Sequence, residues 1–523
     1  MARGNRARLR PAAFGRRLAR DLVGRISPSL LKRIQRARAR KLFLHEPALG
    51  PRRLLLEPTT ACNHRCLMCA DHSALGGRRT PTAHIPLEQL TRLLTDMAGT
   101  GLEEVWLAGR GEPLMHPQAG RMLALIGSLG VRWSITTNGE RLDQDLADHI
   151  CEWGLRQLSI SIDSGSRETY AQVHSAKAEE RARLLGLIKH LSQRREKRPK
   201  LVASMVISKP NYREIVQFVE DTIAAGVDAL VIAGMRPVPF DTGALAVTAA
   251  DWARVRDDLA VARVMAQGAG VELATDHIPA TEQSQPKAAW PYEQMACFIG
   301  HVFSVIDAHG SVHGCCTCQN RLGSLKENAF PEIWRSRAYQ LYRKTLQELP
   351  VTGLTPPMCD CRYGCGHIPE NAAIQQELGL RFSRRRAGSE FATRLDVARA
   401  VLRHLGNVLP SAPTEADFVD LGPGVADEQA RRNAARLRRL GVLKGVGSLD
   451  GKPLFDPTRM VAPVELEEML SRALAAAGLQ EVPSKAVIAE SRAGSAGRYE
   501  PLMKRDLEAW VAGVGARVDR DAT

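Results

Sequence analysis

The stretch Arg53-Leu54-Leu55-Leu56-Glu57-Pro58-Thr59-Thr60-Ala61-Cys62-Asn63-His64-Arg65-Cys66-Leu67-Met68-Cys69 decides how the chain is read. Its first half is a short apolar run ending at a proline, the pattern of a buried strand. Its second half sets three cysteines at CxxxCxxC spacing in a loop leaving that strand's C-terminal end. Such a loop can wrap three thiolates around one iron–sulfur cubane and leave the fourth iron open. With 11 cysteines in 523 residues, chance supplies roughly 0.005 such spacings, so the pattern has a cause. Zinc is the structural alternative; it wants a fourth ligand, and His64 lies in the same loop.

Outward from this stretch, apolar runs and amphipathic helical stretches alternate over 53–240. Strands are predicted at Arg53–Thr59, Val105–Gly109, Trp133–Asn138, Gln157–Asp163, Leu201–Ile207 and Ala229–Met235. Helical stretches include Pro86–Ala98, Gln118–Leu129, Asp143–Trp153, Ala178–Arg195 and Tyr212–Ala225. The alternation indicates βα units around a parallel sheet, an α/β fold. Six units make a partial (β/α)6 barrel rather than a complete one, with ligands expected at the C-terminal strand ends.

Those ends carry the remaining motifs. The second strand runs into Gly109-Arg110-Gly111-Glu112-Pro113, where a glycine turn brings backbone and one carboxylate toward a ligand. A carboxylate suits an ammonium group. The third strand ends at Thr136-Thr137-Asn138-Gly139, the fourth at Ser159-Ile160-Ser161-Ile162-Asp163 and the sixth at Gly234-Met235-Arg236-Pro237. Asp163 either contacts a ligand or caps the helix beginning near Arg167. Met235 reads equally as ordinary core.

Charge is concentrated at one end. Of a net +15, residues 1–53 hold 16 Lys/Arg against Asp21 and Glu46, which is +14 and leaves about +1 for the body. The body has no general basic footprint, so nucleic-acid binding by it is not expected. The basic segment, helical over 1–45, has three open readings: a helix packed on the body with a solvated arginine face, a membrane-surface or anionic-substrate contact, or a transit peptide. No apolar run of 18 or more residues exists, and no secretory h-region, so a cytoplasmic protein is expected. Grouped cysteines in that setting favour metal over disulfides. Cys151 stands alone in a helical stretch and reads as a buried small hydrophobe.

The remaining seven cysteines, Cys297, Cys315, Cys316, Cys318, Cys359, Cys361 and Cys365, lie in a Gly-rich region of little periodicity. Metal would fix such a fold. Residues 385–523 are mainly helical and cysteine-free, with amphipathic stretches at Phe391–Leu405 and Val425–Leu443 and a hairpin-like KGVGSLDGKPLFDP turning at Asp450–Gly451. Helix, helix, hairpin resembles a winged helix; a generic helical cap is the alternative. The expected organisation is a basic extension (1–52), the barrel (53–240), a helical linker (241–289), a cysteine-rich extension (290–384) and a helical C-terminal domain (385–523).

CxxxCxxC after a first barrel strand resembles the radical S-adenosylmethionine (SAM) superfamily, over about residues 55–240. That resemblance implies a [4Fe-4S] cluster on Cys62, Cys66 and Cys69, with SAM chelating the open iron. Met68 stands where the family usually has an aromatic residue. The GRGEP turn is similar to the family's GGEP motif, which places Gly109, Gly111 and Glu112 near the methionyl group. Ser161 matches the fourth-strand serine near SAM, Met235 the adenine contact, and Asn138 and Asp163 join the same set. Residues 297–365 resemble the SPASM/twitch extension: Gly310 to Cys315 fits Gly-x4-Cys, and Gly323 to Trp334 the downstream Gly…Trp stretch. The terminal cysteines depart from the full pattern, and seven thiolates fall short of the eight that two fully protein-ligated cubanes need.

The resemblance therefore implies at least one auxiliary [4Fe-4S] cluster, with Cys297, Cys315 and two of Cys359, Cys361 and Cys365. A second cluster using Cys316 and Cys318 with an open or non-cysteine ligand stays open, as does a zinc site using His313 or His367. It further implies a flavodoxin or ferredoxin electron donor, reductive cleavage of SAM and hydrogen-atom abstraction from an unactivated C–H. Auxiliary clusters of the family accept an electron from a substrate radical or help bind substrate. The leading expectation is oxidation or epimerisation of a small polar natural-product intermediate of sugar or aminocyclitol type. The alternative is a maturase of a ribosomally made peptide. A more distant one is a non-catalytic iron–sulfur sensor binding DNA through its C-terminal region.

Overall fold

A computed structural model describes residues 50–77, 80–235, 243–276, 278, 295–317, 320–352, 355–356, 365–380, 393–406, 409–410, 428–443, 447–449, 452–454, 461, 463–477, 507–509 and 511–512. The basic helical segment, Cys318, Cys359, Cys361 and the Asp450–Gly451 turn lie outside the described residues.

The six predicted strands are present as β1 (Arg53–Leu56), β2 (Glu104–Leu107), β3 (Arg132–Thr137), β4 (Gln157–Ser161), β5 (Lys200–Ile207) and β6 (Ala229–Gly234). They pair in parallel in that order, with Leu54 opposite Val105 and Ser161 opposite Ser204. Between them run α1 (Leu87–Met97), α2 (Ala119–Gly127), α3 (Gln144–Glu152), α4 (Arg167–His174), α5 (Glu179–Ser192) and α6 (Ile215–Ala225). Alternate strand residues share a face. One face, with Leu54, Leu56, Val105, Leu107, Leu158, Ile160, Met205 and Ile232, is buried in the main core. Each such side chain contributes about 1.5–3 kcal/mol. The other face carries Trp106, Ser134, Thr136, Gln157, Ser159, Ser161 and Ser204. Trp106 there is 41% exposed, with its indole N–H donating to Thr136 Oγ1 at 3.0 Å. The same face also carries Leu55, Val202, Val206 and Val231, so the partial barrel has an apolar outside packed on helices and a mixed polar and apolar inside.

The sheet exceeds the six strands at both ends. Residues 241–289, read as a helical linker, contain α7 (Ala249–Ala269) and then β7 (Glu272–Asp276), which pairs in parallel with β6. Glu272-Leu273-Ala274-Thr275-Asp276 is short, acidic at both ends and poor in strand formers, so it gave no strand signal. At the other end β8 (Phe303–Ile306) pairs in parallel with β1, followed by antiparallel β9 (Ser311–His313) and β10 (Arg321–Ser324). The cysteine-rich region therefore grows directly from the barrel's first strand. Helices α8 (Phe330–Arg335), α9 (Arg337–Gln347) and α10 (Ile368–Glu377) follow. Arg343 is buried among them, its guanidinium 4.2 Å from the Trp334 ring centroid and donating to the carbonyls of Gly300 and Trp334.

The C-terminal region has its own core of residues such as Val397, Val401, Leu437 and Leu470. Its order is α11 (Arg394–Leu405), α12 (Glu428–Arg439), the antiparallel hairpin β11 (Gly447–Leu449) and β12 (Lys452–Leu454), then α13 (Pro463–Ala476). Cys151 is fully buried in α3, as expected of a small hydrophobe. Among the described residues no helix is long and apolar enough to cross a membrane.

Candidate active site

The cluster loop leaves β1 and is fixed from three sides. Thr60 N–H donates to Ala83 O, and the Thr60 hydroxyl to Pro81 O. At the far side, Leu67 N–H donates to Val173 O and Arg65 N–H to His174 O. Two carbonyls at the C-terminus of α4, otherwise without helical partners, are satisfied by the loop. The third side is the Gly-Glu-Pro turn, where Glu112 N–H donates to Ala61 O at 2.8 Å. Gly111 is required there: a Cβ would lie 2.5 Å from the carbonyl oxygens of Thr59 and Ala61. Gly109 has φ +132° and passes against the Glu57 side chain.

Glu112 is buried and accepts three hydrogen bonds. Oε1 accepts from the Thr137 hydroxyl at 2.6 Å and Leu114 N–H at 3.1 Å; Oε2 accepts from Asn138 N–H at 2.7 Å. Burial pushes its carboxyl above the ordinary value, and these donors pull it back. The Asn138 side-chain amide donates to Asn63 Oδ1 at 2.9 Å, inside the cluster loop. One carboxylate therefore ties the ends of β2 and β3 together, and Asn138 extends the tie to the loop.

Cys62, Cys66 and Cys69 are partly buried and, among the described cysteines, none is in a disulfide. Burial pushes the Cys62 thiol up to about 11 and the Cys66 thiol well above its ordinary value, each raised also by the neighbouring cysteines. Three mutually repelling buried thiols suit a bound cation, which deprotonates its ligands outright. Within the same loop and its continuation, Asn63 Nδ2, His64 Nδ1 and His72 Nε2 are buried without a protein partner. The donor set and these orphaned atoms fit an iron–sulfur cluster with a polar ligand beside it. His64 Nε2 is engaged by Glu140 Oε2 at 2.6 Å.

Asp163 sits at the end of β4 with φ +51°. Its Oδ1 accepts from Val206 N–H at 2.6 Å, and burial pushes its carboxyl up to about 7. It does not cap the next helix: Ser166 does, accepting from Thr169 N–H, while Glu214 accepts from the N–H groups of Gly165 and Ser166. Ser161 is half-buried on the inner face, and Met235, also half-buried, directly follows β6.

Residues the sequence reading did not contain complete the site. His174, from α4, has Nδ1 3.2 Å from Cys66 Sγ and Nε2 3.3 Å from Asp163 Oδ2. Burial lowers its imidazole to about 3, so it is neutral. Glu57 directly follows β1, and burial pushes its carboxyl up to about 7, against the pull of Arg110, 3.8 Å away. The arginine in GRGEP thus faces a buried carboxylate. A glutamate closing an apolar strand was the only signal for it.

In the cysteine-rich region Cys297, Cys315 and Cys365 are buried and Cys316 is exposed. Cys315 is pulled well below the ordinary thiol value, first by a hydrogen bond from Cys316 and then by His367. A thiol so readily ionised suits a metal ligand. Of the two histidines left open by the sequence, His313 pairs with Asp307 at 3.1 Å, and His367 is the one against thiols.

These features define an iron–sulfur protein on a partial α/β barrel, with one cluster site at the strand ends and a second cysteine region built onto the first strand. Residues 56–222 match the radical SAM superfamily, and residues 297–365 match the SPASM iron–sulfur cluster-binding domain. The chain thus contains a radical SAM domain over residues 56–222 and a SPASM domain over 297–365. It therefore carries a SAM-binding [4Fe-4S] site, SAM as cofactor and auxiliary iron–sulfur binding.

Curated relatives include the tungsten-containing aldehyde ferredoxin oxidoreductase cofactor-modifying protein of Pyrococcus furiosus, 23% identical over 188 residues, 35% of this chain and 52% of that one. The chain thus spans about half the length of that relative. The AdoMet-dependent heme synthase of Methanosarcina barkeri is 23% identical over 308 residues, 56% of this chain and 84% of that one. Among solved structures, Streptococcus suis SuiB bound to S-adenosylmethionine aligns with a TM-score of 0.47 at 18% identity, covering 68% of this chain and 82% of that one.

Proposed function

We propose that this protein is a radical SAM enzyme that abstracts a hydrogen atom from an unactivated C–H of a small polar natural-product intermediate, of sugar or aminocyclitol type, and so oxidises or epimerises it. The observation that carries the reading is convergence. The cluster loop, the Gly-Glu-Pro turn and the ends of β3 and β4 are hydrogen-bonded or packed together beside a barrel interior where serine, threonine, glutamine and one exposed tryptophan are interspersed with Leu55, Val202, Val206 and Val231. Its hydroxyl and amide groups offer hydrogen bonds to a small polar ligand. Two of the sequence relatives are named as a heme synthase and a cofactor-modifying protein.

Cys62, Cys66 and Cys69 would hold the cluster. Asn138, Ser161, Asp163 and Met235 would contact SAM, with Gly109 and Gly111 keeping the turn close. Glu112 fixes the turn, and its carboxylate is the group nearest in kind to the methionyl ammonium. When bound, the cluster supplies the electron that cleaves SAM and so generates the 5′-deoxyadenosyl radical. Oxidation of a carbinol would release, beyond the abstracted hydrogen atom, one electron, which the auxiliary iron–sulfur site would accept, and a proton. Glu57, whose carboxyl sits near neutrality, would take that proton at its carboxylate. A flavodoxin or ferredoxin would deliver the electron.

The test is to incubate the reconstituted full chain with reductant, SAM and either candidate sugars and aminocyclitols or candidate precursor peptides, and to measure 5′-deoxyadenosine. Stimulation by a small polar compound supports the reading. Stimulation by a peptide alone replaces the substrate class, and stimulation by neither overturns both.

A further inference from the structure

We infer that His367 is a protein ligand, through Nε2, of an auxiliary iron–sulfur cluster held by Cys315 and its neighbours. The inference rests on the SPASM region binding such a cluster, not on any substrate.

Seven cysteines lie between 297 and 365, one fewer than two fully thiolate-ligated cubanes require. A second full cubane there would need a non-cysteine donor among those thiols. The Sγ atoms of Cys315 and Cys316 and a ring nitrogen of His367 lie within 4.8 Å of one another. His367 Nε2 is 3.8 Å from Cys316 Sγ. The imidazole is nearly buried, its side chain 14% exposed, with the Phe303 ring 5.1 Å away. Cys365 is held to the same spot, since His367 N–H donates to Cys365 Sγ at 3.3 Å.

What lies behind the ring is the second observation. His367 Nδ1 faces Glu370 Oε2 at 3.5 Å, and Glu370 is ion-paired with Arg53 at the start of β1. A carboxylate facing Nδ1 favours a proton there, so that Nε2, once deprotonated, would present its lone pair toward the thiols. Metal-ligating histidines are oriented by such carboxylates. Asn371 fixes the backbone beneath: its side-chain amide donates to His367 O at 2.7 Å, and its Oδ1 accepts from Phe298 N–H. Cys297 is thereby tied to the His367 turn. A helix-terminal ion pair alone would explain Glu370, but not an imidazole whose other nitrogen faces two cysteine sulfurs.

The test uses the full chain with Cys62, Cys66 and Cys69 all changed to alanine, which removes the SAM-binding cluster. After anaerobic reconstitution, metal and sulfide are counted, and the iron environment is read by Mössbauer spectroscopy and, in the reduced state, by nitrogen hyperfine coupling. His367→Cys and His367→Ala are compared in this background. The expected result is iron with one nitrogen-ligated site. In His367→Cys the iron count stays while the nitrogen signature disappears and the midpoint potential falls, because a thiolate replaces an imidazole. In His367→Ala the signature also disappears. Iron whose spectra are unchanged by His367→Cys overturns the histidine ligation while leaving the cluster. Zinc in place of iron, or no metal, overturns the auxiliary cluster itself.

Discussion

Glu112→Gln is the sharpest single perturbation of this site. The substitution keeps shape and volume but replaces one acceptor oxygen with an NH2 group. Both carboxylate oxygens are in use: Oε1 accepts from the Thr137 hydroxyl and Leu114 N–H, Oε2 from Asn138 N–H. Whichever way the amide is turned, its NH2 meets a backbone N–H, either that of Asn138 or that of Leu114. A buried donor left without an acceptor costs about 1–3 kcal/mol. Removing a buried charge offsets part of this, since burial already pushes the Glu112 carboxyl up. The net loss is therefore at the low end, about 1–2 kcal/mol, and about 2–4 °C of melting temperature per kcal/mol for a barrel of this size. The strained tie also holds the cluster loop through Asn138 and Asn63, so SAM binding and iron retention weaken with it. Differential scanning calorimetry of the reconstituted protein and SAM titration measure both. A Glu112→Gln protein as stable as the native one, with unchanged SAM affinity and iron, would falsify the role given to the three hydrogen bonds.

Two further perturbations act on neighbouring residues. Glu57 is held near 7 in the folded protein against an ordinary 4.5, so the folded state keeps a proton that the unfolded chain releases. Stability falls as pH rises across that interval, and above it the cost is full, up to about 3 kcal/mol. Glu57→Gln should melt like the native protein at about pH 4 and above it at about pH 8; an equal gain at both would contradict the burial of a titrating carboxyl. Gly111→Ala sets a Cβ 2.5 Å from two backbone carbonyls, whereas a Cβ on Gly120 meets nothing within 4 Å. Overpacking of about 1–3 kcal/mol should lower iron per chain in Gly111→Ala but not in Gly120→Ala; equal iron in both would refute the close approach.

Much of this was legible in the sequence because the signals are local. An apolar run, a proline and CxxxCxxC lie within 17 residues, Arg53 to Cys69, and each motif ends its own strand. The βα alternation located all six expected strands to within a few residues. What was not legible depends on residues far apart in the chain. His174 reaches Cys66 across 108 positions, and Arg53 meets Glu370 across 317. No periodicity carries such pairings. The strand β8 lies inside a stretch dominated by cysteine and glycine, and only its pairing with β1 makes it part of the barrel sheet. Asp163 shows the converse: a carboxylate three residues before a helix looks like a cap, yet Ser166 takes that position because its hydroxyl lies where Thr169 N–H can be reached.

The central claim is that Cys62, Cys66 and Cys69 hold a cluster that cleaves SAM. It is tested most directly by adding SAM to the anaerobically reconstituted, dithionite-reduced full chain and quantifying 5′-deoxyadenosine and methionine beside the Cys62/Cys66/Cys69→Ala triple variant. The expected result is that the native protein forms both products and the variant forms neither while keeping its auxiliary iron. Cleavage by the variant, or none by native protein with an intact cluster at these cysteines, would contradict the claim.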